Sequence, residues 1–148
     1  MKGIGIKDVI CKVLEEKDCL TFFLENFNDI DTVISEFEKK KLNYLIISTE
    51  EYMDETLKYM ESFKTSGVPS HWAFRDKIRN LELDLLLIHG YETIGIFQEN
   101  FETMVRHDID SREDLLTKTI VTTTGKFDSV ICERFQYKLD TGMVISCR

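Results

Sequence analysis

Apolar residues recur at helical spacing through the first half of the chain. One stripe near the N-terminus predicts a helix, and it consists of Ile6, Val9, Ile10, Val13 and Leu14. A second stripe follows Asn28, which can cap the start of its helix. A third follows Ser48, where Glu51 completes a capping box that predicts a helix over about residues 50–63.

Two short apolar segments separate these helices. Residues 44–47 are typical of a buried strand, whereas residues 20–27 fit either a further helix or a buried strand. A loop surrounds Pro69, the only proline, and Ser70 can cap a helix that runs from residue 71 to about residue 80. The first half is therefore predicted to be rich in helices.

Strand-like alternation dominates the second half. Leucines at positions 81, 83, 85 and 87 alternate with acidic residues, and His89-Gly90 predicts the turn of a hairpin whose second strand carries Ile94 and Ile96. Helical spacing returns over 97–105, before a charged loop at 108–114. Three further strands are predicted, over residues 118–124, 128–139 and 143–147.

Helices followed by antiparallel strands indicate the α+β class. The prediction is a single α+β domain over residues 1–148, with a helix-rich N-terminal half. A mainly antiparallel sheet of about five strands would be built largely from the C-terminal half. With 43% hydrophobic residues, a chain of this length can bury a core without metal or disulfide.

Charge narrows the possible partners. The net charge of −8 and a pI of about 4.9 disfavour binding to nucleic acid and to anionic membranes. They suit a partner with a basic surface. No apolar stretch is long enough to span a membrane, and the four cysteines include no C-x-x-C pair, so a reducing, cytoplasmic location is expected.

The arginines supply the first candidate site. All six follow Pro69, and Trp72, Arg75 and Arg79 project from one side of the helix predicted after Ser70. Tryptophan and arginine are enriched at interface hot spots, which favours a binding surface. The same spacing would also arise if the Trp72 ring lay in the core and the aliphatic parts of the arginine side chains packed over it. Together with Arg134, Arg75 and Arg79 could also hold a small anionic ligand.

A second candidate site is catalytic. His107 beside Asp108 could orient an imidazole as a base. Asp128, followed by Gln136 and Lys138, resembles a degenerate metal-dependent nuclease core. The three histidines lie on different predicted elements and do not form a metal site. The sequence contains no P-loop, no G-x-G-x-x-G and no G-x-S-x-G motif.

The favoured interpretation is a non-enzymatic, acidic, intracellular binding or inhibitor protein, similar to immunity proteins or antagonists, without cofactor or metal. It would sequester a protein partner that has a basic surface, because the chain itself is acidic. The residues expected to bind are Trp72, Arg75, Arg79, Asp108, Asp110, Glu113 and Asp114. The alternatives are a small metal-dependent hydrolase or nuclease, and a sensor domain that binds a small anionic ligand through arginines.

We expect the chain to fold without metal or disulfide, because its apolar content is sufficient and no metal-ligand spacing occurs. A chelator or a reductant should leave the melting temperature nearly unchanged in a calorimetric scan. A drop of more than about 10 °C with either agent would contradict this expectation. For a chain of this length, such a drop corresponds to a loss of more than about one or two kcal/mol in the free energy of unfolding.

Overall fold

A computed structural model describes residues 3–55, 81–112, 116–127 and 131–148, without the side chains at positions 108, 111, 112 and 134. The helices are α1 (Ile6–Glu15), α2 (Ile30–Lys39), α3 (described over 49–55), α4 (Gln98–Arg112) and α5 (Glu133–Thr141). The strands are β1 (Thr21–Glu25), β2 (Tyr44–Ser48), β3 (Leu85–His89), β4 (Lys118–Thr122) and β5 (Met143–Ser146). Two short 3-10 helices, Tyr91–Thr93 and Gly95–Phe97, precede α4.

The described strands form one parallel sheet in the order β2-β3-β4-β1-β5. Phe23 of β1 pairs with Val121 of β4 on one side and with Val144 of β5 on the other. Because all five strands run the same way, their carboxyl ends lie along one edge of the sheet and their amino ends along the other. A parallel bridge between Ile4 and Cys147 extends the β5 side.

Both faces of the sheet are buried, and this explains the parallel arrangement. Phe22 and Phe23 are consecutive residues of β1 that point to opposite faces, yet each is 0% exposed. Phe22 packs in a cluster with α1 and α2, whereas Phe23 packs in a cluster with α4 and α5. Helices on both faces are the hallmark of crossover connections between parallel strands.

The prediction of an α+β fold with a mainly antiparallel sheet is therefore wrong. The apolar run Leu85–Ile88 is buried at every position, as expected for a strand covered on both faces. The predicted hairpin is also wrong. Gly90, at φ 89°, turns the chain out of β3 into the two 3-10 helices, where Ile94 joins the core and Ile96 is 93% exposed.

The strand predicted over 128–139 is wrong as well, because residues 133–139 lie in α5. Phe135 and Leu139 are four residues apart, a spacing that fits one face of a strand or of a helix. The helix buries both, and it also buries Lys138 while exposing Tyr137, whereas a strand would place Tyr137 on the same face as Phe135 and Leu139. Similarly, α4 continues through part of the predicted charged loop to Arg112.

Several local predictions are confirmed. The N-terminal helix is α1, the segment 44–47 lies in β2, and the ambiguous segment 20–27 contains β1. The capping box is present: Glu51 N donates to Ser48 Oγ at 3.0 Å, and Ser48 N donates to Glu51 Oε1 at 3.3 Å. The cap of α2 is Asp29 rather than Asn28. The helix predicted after Ser70 lies outside the described residues.

Among the described residues, no helix is both long enough and apolar enough to cross a membrane.

Gly142, between α5 and β5, is expected to tolerate no side chain. A Cβ there would lie 2.8 Å from the Lys138 carbonyl oxygen and 2.9 Å from the Thr21 carbonyl oxygen. Gly142→Ala should lower the free energy of unfolding by about 1–3 kcal/mol in urea titrations, because backbone must move. Gly125→Ala is the control: its Cβ meets nothing within 4 Å, and we expect a change within about 0.5 kcal/mol. Equal effects of the two substitutions would contradict this packing.

Candidate functional site

A small pocket opens at the carboxyl edge of the sheet, where ligands of open α/β proteins bind. It has a volume of about 180 Å³ and lies among the segments that follow β1, β3 and β4. Its lining residues are Phe27, Asn28, Ile30, His89, Gly90, Glu92, Thr122 and Thr124. The pocket thus collects side chains that are far apart in the sequence.

Thr122, the last residue of β4, lines this pocket and carries a buried hydroxyl. The residue is 1% exposed, and within the described part of the chain its Oγ1 atom has no hydrogen-bond partner. An unpaired buried polar group costs about 1–3 kcal/mol, so this hydroxyl calls for an explanation.

Two carboxylates brace the chain around the pocket. Glu25 Oε2 accepts a hydrogen bond from Phe127 N at 2.8 Å, and Glu92 Oε2 accepts one from Thr124 N at 3.3 Å. They tie the segment after β4 to the end of β1 and to the first 3-10 helix. Since Glu92 also lines the pocket, the mouth of the pocket carries negative charge.

The start of α2 is closed by its own cap. Asp29 accepts hydrogen bonds from Thr32 N at 3.1 Å and from Thr32 Oγ1 at 2.7 Å. These bonds, the hydroxyl one first, hold the pKa of Asp29 below its usual value. In the preceding connection, Asn26 N and Phe27 N donate to the carbonyl oxygens of Gly125 and Thr123. These two amides therefore already donate hydrogen bonds within the protein and are not available to a ligand.

A larger cleft of about 520 Å³ lies at the amino edge of the sheet, between the start of β1 and helices α4 and α5. Asp110 joins the two helices there: its carboxylate accepts from Arg106 Nε and from Lys138 Nζ, both at 2.6 Å. Burial opposes the ionisation of Asp110, but these two cationic donors outweigh it and hold its pKa below the usual value.

Tyr137 forms an exposed aromatic surface beside these charges. Its side chain is 55% exposed, and the guanidinium carbon of Arg106 lies 5.2 Å from the ring centroid, within cation–π range. Two carboxylates, Asp18 and Asp110, line the same cleft. The two cations are therefore balanced locally, and the aromatic ring is an exposed recognition feature of the cleft.

Among the residues that the structure describes, it brings together two of the predicted site residues, Asp110 and Lys138. Gln136 lies on the exposed side of α5, where its amide donates to Asp140 at 2.8 Å, and His107 is half-buried on α4. Because Gln136 and Lys138 lie on a helix, the strand geometry assumed for a nuclease core is absent.

The remaining predicted residues cannot be placed in either site. Asp108 and Arg134 lie in described helices, but their side chains are not described. The other predicted residues fall outside the described part of the chain: Trp72, Arg75, Arg79, Glu113, Asp114 and Asp128.

Three residues of these sites were missed by the sequence analysis. Arg106 stands four residues before Asp110, a helical pairing that could have been noticed. Thr122 lies in a run of β-branched residues that predicts a buried strand. A polar residue in such a strand is a candidate site residue, and this signal was available in the sequence. The exposure of Tyr137 could be found only after α5 was recognised as a helix.

No protein family model matches this chain, and no curated protein is significantly similar to it in sequence. Solved structures do share its fold. Domain III of the Thermotoga maritima replication initiation protein DnaA superposes with a TM-score of 0.74 at 14% identity, covering 96% of this chain and 60% of that one. Two longer DnaA structures also match.

One of them is the replication initiator DnaA bound to AMPPCP and single-stranded DNA, with a TM-score of 0.67 at 13% identity. The other is AMPPCP-bound DnaA from Aquifex aeolicus, with a TM-score of 0.61 at 15% identity. Each match covers 95% of this chain but only 44% and 45% of the respective structure. At these identities the likeness shows the fold, and this chain spans less than half the length of those two proteins.

These findings correct the predicted function. The prediction of an acidic inhibitor that sequesters a basic protein is wrong, because the chain has the fold of replication-initiator domains. The exclusion of nucleic acid as a partner is wrong too, since one of these neighbours was solved with single-stranded DNA. Net charge is a property of the whole surface, and it does not determine what one cleft binds.

Asp110 should stabilise the contact between α4 and α5. Asp110→Asn removes the negative charge that pairs with Arg106 and Lys138. We expect the free energy of unfolding to fall by about 1 kcal/mol at pH 7, a value that already allows for the partial exposure of the carboxylate. Because its folded pKa is lowered, this stabilisation is present above the unfolded pKa near 3.9 and disappears as pH falls through the folded value.

Urea unfolding at pH 7 and near pH 2 measures this dependence. The difference between the wild type and Asp110→Asn should shrink at the lower pH. Asp140→Asn, at the exposed partner of Gln136, is the control and should change stability by less than about 0.5 kcal/mol. A difference that is the same at both pH values would show that the charge of Asp110 is not responsible.

Proposed function

We propose that this chain is a replication-initiator-type domain that binds single-stranded DNA. The observation that carries the proposal is the superposition of 95% of the chain, with a TM-score of 0.67, on a replication initiator bound to single-stranded DNA. The amino-edge cleft supplies suitable side chains. Single strands are bound by aromatic rings on which bases stack, together with cations along the backbone. Tyr137 provides the ring and Arg106 the more accessible cation, whereas Lys138 lines the cleft but is largely buried.

Stacking contributes more than charge in this cleft. Arg106 and Lys138 share the carboxylate of Asp110, and Asp18 also lines the cleft, so few phosphates can be neutralised. Affinity should therefore be modest, and its dependence on salt should be shallow. Two phosphate contacts on a single strand correspond to a slope of about −1.4 in a plot of log K against log salt.

The nucleotide analogue found in the neighbouring structures does not fit the residues of this chain. A triphosphate needs a glycine-rich loop of free amides and a lysine between strand and helix. Here the connection from β1 to α2 is Asn26-Phe27-Asn28-Asp29, without glycine or lysine. Asp29 caps the start of α2, and Glu92 adds a second negative charge at the pocket, so both carboxylates would repel a triphosphate. The proposal therefore assigns this chain no step of nucleotide hydrolysis.

A cytoplasmic location is part of the proposal. Within the described residues all four cysteines are unpaired, as expected in a reducing compartment. Burial raises the pKa of Cys147 to about 11, so this thiol is protonated and unreactive at neutral pH.

Binding of a fluorescent oligothymidylate to the full chain, followed by anisotropy, tests the proposal. Tyr137→Ala should weaken binding by about 1–3 kcal/mol, the usual contribution of one stacked base. Tyr137→Phe keeps the ring and should bind like the wild type. Phe97→Ala removes another exposed aromatic ring, 44% exposed and outside the cleft, and should also leave binding unchanged.

Two results would contradict the proposal. The first is the absence of saturable binding at low salt with up to millimolar protein. The second is equal loss of affinity in Tyr137→Ala and Phe97→Ala, which would indicate nonspecific stacking on exposed rings.

A further inference from the structure

We propose that the carboxyl-edge pocket binds an uncharged heterocyclic ring of nucleobase size, in place of a phosphate group. The first observation is Thr122, a residue of the pocket lining whose buried hydroxyl has no partner among the described residues. A hydroxyl both donates and accepts, so it can pair with a ring nitrogen or with an exocyclic carbonyl or amine. The pairing would satisfy a group whose burial is otherwise unfavourable.

The size of the pocket limits the ligand. Its volume of about 180 Å³ lies below the range of roughly 300–1,000 Å³ that is typical of drug-sized and cofactor sites. A complete nucleoside triphosphate therefore cannot be enclosed. A single ring system can enter, with an attached sugar remaining outside the mouth.

Charge excludes a phosphate as the buried group. No lysine or arginine is among the residues that line the pocket in the described part of the chain, whereas Glu92 is. The nearby helix terminus is already capped by Asp29. An anion would meet a carboxylate and would lose its hydration without a compensating cation, while an uncharged ring meets no such penalty.

The walls suit a flat ring. Phe27 and Ile30 provide apolar surface, and His89 adds a polar imidazole at the end of β3. Enzymes and binding proteins that accept single bases combine the same elements: apolar or aromatic walls and a few hydrogen bonds to the base edge. Thr122 would supply the deepest of these bonds, because it is the most buried polar residue of the lining.

The ring could belong to a free nucleoside or to an unpaired base of a nucleic acid strand, since both present the same chemistry. The inference does not require the proposed binding of DNA in the amino-edge cleft. It rests on the volume, the charge and the unpaired hydroxyl of this pocket alone.

Calorimetric titration of the full chain with adenosine, thymidine and magnesium ATP tests the inference. We expect at least one nucleoside to bind saturably and more tightly than magnesium ATP. Thr122→Val should weaken that binding by about three- to tenfold, the range for one neutral hydrogen bond. It should leave the melting temperature unchanged or higher, because it removes an unpaired buried hydroxyl.

Two variants serve as controls. Thr122→Ser retains the hydroxyl and should retain binding. Thr117→Val removes a buried hydroxyl that donates to the Leu83 carbonyl oxygen at 2.9 Å, away from the pocket, so it should lower the melting temperature without weakening nucleoside binding. This contrast separates loss of the site from loss of stability.

The inference would be overturned if neither nucleoside bound, if magnesium ATP bound at least as tightly, or if Thr122→Val bound like the wild type. A parallel titration with oligothymidylate distinguishes the two sources of the ring: competition with the nucleoside would identify a base of the strand as the ligand. Nucleoside binding without any oligothymidylate binding would support this inference and would contradict the proposed function.

Discussion

Burial of both faces of β1 is the constraint on which the rest of this structure depends. Phe22 and Phe23 point in opposite directions, and neither is exposed, so helices must cover the sheet on each side. Crossover helices on both faces make neighbouring strands parallel. Parallel strands in turn bring the ends of β1, β3 and β4 to one edge, which is how Phe27, His89 and Thr122 come to line one pocket.

The same geometry produces two different chemical environments. At the carboxyl edge, Asp29 caps α2 and Glu92 accepts a hydrogen bond from the segment after β4. These carboxylates make the edge acidic, and the backbone amides that they bind are not available to a ligand. At the amino edge, Arg106 and Lys138 converge on Asp110 beside an exposed tyrosine ring. The phosphate-binding features of a nucleotide site are thus absent from the sequence where the fold would place them, while an aromatic surface lies at the opposite edge.

Local structure was predictable from the sequence wherever one residue pattern allowed one structure. The stripe of α1 and the Ser48–Glu51 capping box each had a single interpretation, and both are present. Strand pairing was mispredicted, because the alternation of leucines with acidic residues from position 81 was given more weight than the continuous apolar run Leu85–Ile88, which is typical of a strand buried on both faces. The error at α5 arose because the spacing of Phe135 and Leu139 suits both a helix and a strand.

The sites depended on these longer-range features and were correspondingly harder to predict. Thr122 meets His89 only through the parallel pairing of β3 with β4, and Lys138 reaches Asp110 only if residue 138 is helical. Net charge led to the wrong class of partner, because it sums the whole surface and contains no information about individual clefts. The likeness to DnaA structures supplied the information on fold that the residue pattern lacked.

Hydrogen–deuterium exchange, recorded with an oligothymidylate and separately with magnesium ATP, tests the central claim most directly. The claim is that the amino edge binds a nucleic acid strand and that the carboxyl edge does not bind a triphosphate. The account predicts slower exchange in α4 and α5 with the oligonucleotide, and weak protection at most of residues 26–32 with magnesium ATP, because only its base could enter the carboxyl-edge pocket. Strong protection of residues 26–32 by magnesium ATP, with no oligonucleotide-dependent protection of α4 or α5, would contradict it.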